Sequence, residues 1–551
     1  MYQDGKIWVG NSGDERVYIY PKMANRHGLI AGATGTGKTV TLKVLAESFS
    51  DAGVPVFLAD VKGDLAGMSM LGQDSDSVKK RVEEMGLAQE GFEFSSYPTT
   101  YWDIYGEKGM PLRATVSEMG PLLLSRILDL NETQSDILTI IFKIADDEGL
   151  LLLDTKDLKS MIQYVSEHSK DYALEYGNMA KQSLAAILRS VVALEAEGGD
   201  QFFGEPAVNI ADWLCTDCSG KGAIQVLDCQ KLINNPTMYS TFMLWMMAEL
   251  FETLPEAGDR PKPKMVFFFD EAHLLFENAS KTLLNKIEQV VKLIRSKGVG
   301  IYFITQNPAD IPDDVLGQLG NKVQHALRAY TPKEQKGAKA AAESFRVNPE
   351  FDTYEVLSQL GIGEALVSVL GEDGIPTVVK RCSILPPQSQ MGALDDETRK
   401  SEIVNNLLYT KYTQELDRES AYELLTKKVA EEEKAEAEAK EAEAAKKAAE
   451  KEAEAAKKAA EKAAEKQAAA EEKQKLKEAE TAKKAAEKAT AEKEKQVKRA
   501  VKSVASSATG TIGREIGKTI GESVGGSFGK RLGGNVGASL GRGLLSTLFK
   551  L

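Results

Sequence analysis

The first 390 residues alternate between short apolar runs and segments with helical periodicity. Six apolar runs have the length of buried strands, at residues 27–31, 54–59, 223–227, 265–269, 299–304 and 323–329. Continuous apolar runs separated by helical segments are typical of a parallel sheet that is covered on both faces. The pattern therefore predicts an α/β fold built on a parallel sheet.

The periodicity becomes helical between the second strand and the later core. Asn131 and Gln134 have the spacing of a capping box, which predicts a helix that continues through Ile144. We expect six segments: an N-terminal core part at 1–118, an all-α insertion at 119–200, a C-terminal core part at 201–390, a helical connector at 391–426, a spacer at 427–509 and a tail at 510–551.

The spacer has an unusual composition. Residues 427–509 contain no Gly, Pro or aromatic residue and consist mainly of Ala, Glu and Lys, and residues 441–451 are repeated letter for letter at 452–462. These residues favour helix and form Glu/Lys pairs four positions apart, but few Leu or Ile are available for a tight coiled coil. The composition predicts a solvated extension that is helical or disordered.

The tail carries a stripe of glycines. A glycine occurs at every fourth position from Gly513 to Gly541, each preceded by an apolar residue, and residues 501–551 hold seven Lys or Arg against two Glu. Such a basic, glycine-striped segment favours helix association, a protein partner or an anionic membrane surface. A low-complexity tail without a partner is the alternative.

Charge and hydropathy limit the binding partners and the cellular location that we expect. The 551 residues carry a formal charge of −13, so a nucleic-acid surface would have to be a local basic patch. No apolar run is long enough for a transmembrane helix, and the N-terminus lacks the layout of a signal peptide. We expect a cytoplasmic protein whose tail allows peripheral membrane contact.

One Cys-x-x-Cys pair, Cys215 and Cys218, stands without a second pair or a nearby histidine. A single pair is weak support for zinc, and four cysteines in a chain of this length do not form a disulfide scaffold. Ordinary reduced thiols are expected, with a structural or redox role as the alternative.

A phosphate-binding loop follows the first predicted strand. Its residues match G-x-x-x-x-G-K-[ST] and continue into a predicted helix at 39–49: Gly32, Ala33, Thr34, Gly35, Thr36, Gly37, Lys38, Thr39 and Val40. Backbone N–H groups of such a loop face phosphate oxygens, and the helix N-terminus adds partial positive charge. The loop predicts ATP binding, with Lys38 on the β- and γ-phosphates and the Thr39 hydroxyl on Mg²⁺. A Gly/Thr-rich turn is the alternative.

Two acids end the strand predicted at 265–269. Asp270 is expected to hold Mg²⁺, and Glu271 to polarise the attacking water. Gln306 follows the next strand and is expected to contact the γ-phosphate and that water. For His273, a packing role is the simpler expectation. Asp60 is expected either to lie near the metal or to cap its own loop.

Phosphoryl transfer also needs a cation near the transferred phosphate. Arg328 is expected to close the strand at 323–327, and Arg295 precedes the strand at 299–304. Either arginine is a candidate finger that reaches the nucleotide of a neighbouring subunit. Arg328 is favoured over Arg295, and ordinary surface arginines are the alternative.

These motifs together resemble the HerA/FtsK division of P-loop ATPases, most closely the YjgR-type branch of HerA-like proteins. The likeness covers residues 5–390 and rests on Gly32–Thr39, 60–64, 267–271, 305–308 and 327–328. It implies a RecA-like ATPase core, hexameric rings and nucleotides at subunit interfaces. HerA and FtsK members pump duplex DNA. Because few residues precede the first predicted core strand, we do not expect this sequence to form the N-terminal barrel of HerA.

Two functions remain open at this stage. The first is a homo-hexameric ATPase that translocates on or remodels duplex DNA, using Lys333, Lys336 and Lys339 of a predicted helix opened by Thr331 and Glu334. The second is an ATPase switch or scaffold that acts on a protein or membrane partner through its tail. A solvated face is the simpler interpretation of the three lysines.

Overall fold

The computed structural model describes residues 1–258, 260–277 and 281–486. These residues divide into two compact units, 1–425 and 426–486. Within the described residues the strands are β1 (Tyr2–Gln3), β2 (Lys6–Ser12), β3 (Glu15–Ile19), β4 (Gly28–Ala31), β5 (Val56–Asp60), β6 (Thr99–Asp103), β7 (Met110–Pro111), β8 (Ile224–Asp228), β9 (Met265–Phe269), β10 (Val299–Thr305), β11 (Asn321–His325), β12 (Glu364–Ser368) and β13 (Lys380–Ile384).

The α-helices of the same residues are α1 (Lys38–Asp51), α2 (Asp76–Glu84), α3 (Val116–Ile127), α4 (Glu132–Glu148), α5 (Thr155–Glu167), α6 (Ser169–Tyr176), α7 (Lys181–Ala196), α8 (Gly199–Phe202), α9 (Pro236–Thr253), α10 (His273–Phe276), α11 (Lys281–Ile294), α12 (Asp313–Leu316), α13 (Pro332–Glu343), α14 (Thr353–Gln359), α15 (Asp396–Val404), α16 (Tyr409–Thr413) and α17 (Ala421–Ala486). Short 3₁₀ turns lie at Pro21–Arg26, Ala66–Ser69, Leu87–Glu90, Ile210–Trp213, Leu232–Asn234, Arg295–Lys297 and Pro308–Asp310.

The strands form one mixed sheet in the order β1-β2-β13-β12-β11-β4-β10-β9-β5-β8-β6-β7, with β3 beside β2. From β11 to β7 the pairing is parallel, and from β11 to β2 it is antiparallel. The predicted α/β fold with a parallel sheet is confirmed. The central strands β4, β5, β8, β9 and β10 are buried along their whole length, which explains their continuous apolar runs.

Aromatic side chains cover both faces of the sheet. On one face, Phe49 of α1 packs against Phe268 and Tyr302, with ring centroids 6.2 and 5.8 Å apart. On the other face, Trp213 stacks on Phe57 at 5.2 Å. Burial of these large rings contributes much of the hydrophobic stabilisation that holds the layers together.

The strand predicted at 323–329 is shorter than expected. β11 ends at His325, which pairs with Ala365 of β12. The next carbonyl, that of Ala326, accepts a hydrogen bond from Ala33 N at 2.9 Å and so leaves the sheet ladder. Arg328 therefore does not close a strand but lies in the loop that follows β11.

The residues of the predicted insertion form helices α3 to α8. The capping box at the start of α4 is present, because Gln134 N donates to Asn131 Oδ1 at 3.0 Å and Asn131 N donates to Gln134 Oε1 at 3.1 Å. α4 continues past Ile144 to Glu148 and ends at Gly149, whose φ of 69° is left-handed. The helices follow β6 and β7, two strands that the sequence pattern did not reveal, and not directly the second predicted strand.

The chain leaving β13 lies along α1. Buried Glu47 accepts hydrogen bonds from Gln388 N at 2.8 Å, Ser389 N at 3.1 Å and Ser389 Oγ at 2.5 Å. Lys43 Nζ donates to Gln390 O at 2.6 Å. Two buried charged residues of α1 thus hold residues 388–390, the last of the core before the connector, against the helix that follows the phosphate loop.

The spacer is helical through Ala486. Its Glu and Lys side chains pair at the expected spacing, with Lys–Glu distances of 2.9, 2.7 and 2.8 Å for Lys440–Glu436, Lys447–Glu443 and Lys458–Glu454. Residues 487–509 of the spacer and the tail at 510–551 lie outside the described residues. No helix of the described part combines the length and apolar character needed to cross a membrane.

Candidate active site

The loop between β4 and α1 needs glycine at three positions. Gly32, Gly35 and Gly37 have φ values of 150°, 77° and 117°, a region that L side chains rarely adopt. A Cβ on Gly32 would also lie 2.6 Å from the Cβ of His325. The glycines therefore permit a tight curl that ends where α1 begins, at Lys38.

Three neighbouring segments hold this loop in place. Gly32 N donates to Thr305 O at 3.2 Å, Ala33 N donates to Ala326 O at 2.9 Å, and Gly363 N donates to Thr36 O at 3.1 Å. The ends of β10 and β11 and the turn before β12 thus fix the backbone. A loop held this way can bind phosphate with little loss of conformational entropy.

Lys38 lies inside the curl. Its Nζ donates to Gly32 O at 2.6 Å and to Ala33 O at 3.2 Å, and the residue is buried. Burial, with the positive charge of Lys62, lowers the Lys38 pKa, while Glu271 and Asp270 oppose that shift. A buried ammonium that donates hydrogen bonds to two backbone carbonyls is well suited to the negative charge of a triphosphate.

Two acids lie at the carboxyl end of β9, beside this lysine. Burial, and next the charge of Glu271, raises the pKa of Asp270 to about 7. Asp270 Oδ1 accepts from Glu271 N at 2.9 Å, and Tyr239 donates its hydroxyl to Asp270 O. Glu271 has a φ of 47°, unusual for a residue with a side chain. Such backbone strain clusters at functional sites.

Gln306 reaches Glu271 from the neighbouring strand. β10 pairs with β9 in parallel, so both side chains lie at the same edge, and Gln306 Nε2 is 3.4 Å from both Glu271 carboxylate oxygens. His273 Nδ1 also lies 3.4 Å from Glu271 Oε2. The edge therefore gathers a carboxylate, an amide and an imidazole, where packing alone was expected for the histidine.

Asp60, for which two roles were open, caps its own loop. Its carboxylate accepts from Gly63 N, Asp64 N and Leu65 N at 2.7, 3.1 and 3.0 Å. The side chain is fully buried, and burial raises its pKa to about 6. Both oxygens are engaged with backbone donors, so Asp60 shapes the loop that carries Lys62.

The two arginines lie in different places. Arg328 is exposed in the loop after β11, at the edge where the parallel strands end. Arg295 begins the 3₁₀ turn before β10, and its charge acts on His27, at the opposite edge of the sheet. The structure therefore brings Arg328, but not Arg295, to the edge that carries Glu271 and Gln306.

The sequence analysis did not identify His325 as part of the site, although its side chain packs beside the phosphate loop and the first turns of α1. Its Nε2 lies 2.8 Å from Thr41 Oγ1 and its Nδ1 lies 2.9 Å from Glu364 O. Burial lowers its pKa to about 4, so the ring is neutral near pH 7. A histidine within the predicted strand at 323–329 was the only available signal, and it does not indicate which loop the ring contacts.

The site suits a magnesium–nucleotide complex better than a protein-only metal centre. Thr39 follows Lys38 in the first turn of α1, and Asp270 lies close enough for its charge to act on Lys38. No group of three or more His, Cys, Asp or Glu that could hold a metal occurs among the described residues. Mg²⁺ prefers few protein ligands, with phosphate oxygens and waters completing its shell.

Comparisons with known proteins place the chain in a family. The family model "Helicase HerA-like C-terminal" matches residues 7–532. "DNA double-strand break repair helicase HerA" of Sulfurisphaera tokodaii is 21% identical over 379 residues, covering 67% of each chain. The protein of the same name from Saccharolobus solfataricus is 24% identical over 393 residues, covering 69% of each.

A solved structure, "Bacterial conjugative coupling protein TrwBdeltaN70", is 14% identical with a TM-score of 0.48, covering 72% of this chain and 92% of its own. The family match spans most of the sequence and includes every residue of the site described above. The chain therefore belongs to the helicase HerA-like C-terminal family and is an ATPase with a RecA-like P-loop core.

Proposed function

We propose that this ATPase is a ring-forming motor that couples hydrolysis of Mg²⁺-bound ATP to translocation on, or remodelling of, duplex DNA. The observation that carries the hydrolytic part is the meeting of Lys38, Asp270, Glu271 and Gln306 at one sheet edge. The relatives named as DNA repair helicases support DNA as the substrate.

Each residue has a distinct task in this proposal. The phosphate loop at 32–40 binds the triphosphate through backbone N–H groups, and Lys38 neutralises its charge. Mg²⁺, when bound, supplies further charge neutralisation at the phosphates; Thr39 and Asp270 would hold it. Glu271 accepts a proton from the attacking water while Gln306 orients the carboxylate and the water.

A basic helix face supplies a candidate DNA contact. α13 begins with the predicted capping box, in which Glu334 N donates to Thr331 Oγ1 at 3.2 Å. Lys336 and Lys339 on this helix are exposed. Exposed lysines on one side of a helix bind phosphates without reading base sequence.

Duplex DNA should raise the ATPase rate, and the DNA affinity should fall steeply between 50 and about 200 mM salt, because phosphate contacts release counterions. Replacing both Lys336 and Lys339 by Glu should weaken DNA binding at least about tenfold and leave the DNA-free ATPase rate unchanged. The matched control replaces Lys170 and Lys181, exposed lysines of the helical insertion, by Glu.

If DNA neither binds nor stimulates hydrolysis, the motor proposal is wrong. The protein would then be an ATPase switch or scaffold acting on a membrane or protein partner through the tail at 510–551, which lies outside the described residues. Truncation after Ala500 tests that alternative, because it should leave ATP turnover intact and abolish liposome or tail-to-tail association.

An active site shared between subunits makes a separate prediction. If Arg328 serves a neighbour's nucleotide, Arg328→Ala should bind ATP normally and lose turnover by about 10³-fold. Mixing Arg328→Ala with Glu271→Gln should restore part of the activity, because some interfaces then pair an intact arginine with an intact glutamate. Arg295→Ala is the comparison variant.

The measurement is steady-state phosphate release at varied ratios of the two variants, with the oligomeric mass determined by light scattering. A monomeric mass, together with no recovery at any ratio, would exclude the shared site. Recovery with Arg295→Ala but not with Arg328→Ala would transfer the role to Arg295.

A further inference from the structure

The turn before β12 lies directly against the phosphate loop. Gly363 N donates to Thr36 O at 3.1 Å, and a Cβ on Gly37 would lie 3.3 Å from Gly363 N. The turn is itself fixed by β13, since Ile384 N donates to Gly363 O at 2.9 Å. Residues 361–363 therefore form a rigid wall beside the last turn of the phosphate loop.

The sheet order determines which part of a nucleotide meets this wall. β10 and β9, which carry Gln306 and Glu271, lie on one side of β4, and β11 and β12 lie on the other. The γ-phosphate belongs on the side of Glu271, because that carboxylate acts on the attacking water. The nucleoside end of the same molecule must then leave the loop toward β11 and β12, where residues 361–363 lie.

The wall offers the surfaces that a flat heteroaromatic ring needs. Ile362 is 75% exposed although it is a large apolar residue held in a fixed turn. Arg81 of α2 donates from Nη2 to Ile362 O at 3.2 Å. Its guanidinium covers Gly363, where a Cβ would lie 2.2 Å from Nη2. An apolar side chain beside a guanidinium plane is a common environment for a bound ring system.

We propose that Ile362 and Arg81 form the subsite for the purine base of the nucleotide held by the phosphate loop. The inference rests on the proposed function, because it needs a nucleoside triphosphate in that loop. On binding, the base covers the exposed Ile362 side chain, and the planar Arg81 group packs at the edge or face of the ring. The phosphates contact neither residue.

The test compares two ligands that share the phosphate chain and differ in the nucleoside: Mg·ATP and Mg·tripolyphosphate. Ile362→Ser in the full-length protein should weaken ATP binding about tenfold, since it removes the apolar surface that the base would cover. Tripolyphosphate affinity should not change. Val347→Ser is the matched control, because Val347 is 76% exposed in the segment between α13 and α14.

A second variant, Arg81→Lys, keeps the charge and removes the guanidinium plane. It should also weaken ATP and spare tripolyphosphate. Titration by calorimetry gives all the affinities, and tripolyphosphate binding itself shows that the phosphate loop of each variant is folded.

The possible outcomes separate the two claims. Unchanged ATP affinity in Ile362→Ser, or an equal loss for both ligands, would overturn the base subsite and leave the proposed function standing. A loss of self-association in Ile362→Ser with normal ATP affinity would also overturn it and identify the residue as an intersubunit contact. Binding of neither ligand by the unaltered protein would overturn the proposed function and the subsite together.

Discussion

Replacing Lys38 by Ala is expected to abolish nucleotide binding and, with it, ATP turnover. The ammonium is buried within the loop and donates to the Gly32 and Ala33 carbonyls, so its charge is held inside the loop that is proposed to bind the phosphates. Loss of a buried charge that pairs with a ligand charge weakens binding by about 100-fold or more.

Two titrations check this expectation, one with a fluorescent ATP analogue and one following phosphate release. Lys22→Ala, at an exposed lysine of the same unit, should match the unaltered protein in both. Lys38→Arg should fail nearly as completely as Lys38→Ala, because a longer planar group does not fit the curl. Near-normal ATP affinity in Lys38→Ala would mean that the loop does not bind the triphosphate in the way proposed.

Local runs of apolar residues predicted much of the architecture, because a strand that is covered on both faces is apolar whichever elements cover it. β9 is apolar at all five positions because both sheet faces are covered there, and its end marks Asp270 and Glu271. β6 was missed for the opposite reason. Its Thr99, Thr100 and Asp103 are polar and yet buried, so the strand shows no continuous apolar run, and the Thr100 hydroxyl accepts a hydrogen bond from the distant Asn406 side chain.

The phosphate loop could be predicted from the sequence because its glycines and Lys38 act together within one short segment. The residues that hold the loop in place could not be predicted in this way. His325 contacts Thr41, and Gly363 contacts Thr36, only because β11 lies beside β4 and β12 lies beside β11 in the sheet. Strand order is a property of the whole fold, so no local sequence pattern could predict that these residues contact the phosphate loop.

The role of Asp60 shows a limit of motif reasoning. An acid after a parallel strand is equally compatible with a metal ligand and with a loop cap, and only the three backbone donors that surround its carboxylate decide between them. Lys62 was overlooked beside it, although the cap holds the loop from which its charge reaches Lys38 and Asp270.

Glu271→Gln is expected to separate binding from chemistry. The substitution keeps the size and the hydrogen-bonding shape of the side chain, so Gln306 retains a partner and the phosphate loop is untouched. It removes the group that accepts a proton from water, and such a loss lowers turnover by about 10²–10⁴-fold. ATP affinity should remain within about twofold, because the glutamate acts in the transition state and not on bound phosphate.

The measurement pairs an ATP titration with single-turnover hydrolysis, so that slow product release cannot conceal a change in chemistry. Glu277→Gln is the matched control, because Glu277 is exposed and follows the same strand, and its substitution changes the charge by the same amount. If Glu271→Gln loses ATP affinity as severely as Lys38→Ala, then Glu271 supports the nucleotide and does not activate water. In that case its left-handed backbone holds a binding group in place, and another residue must accept the proton.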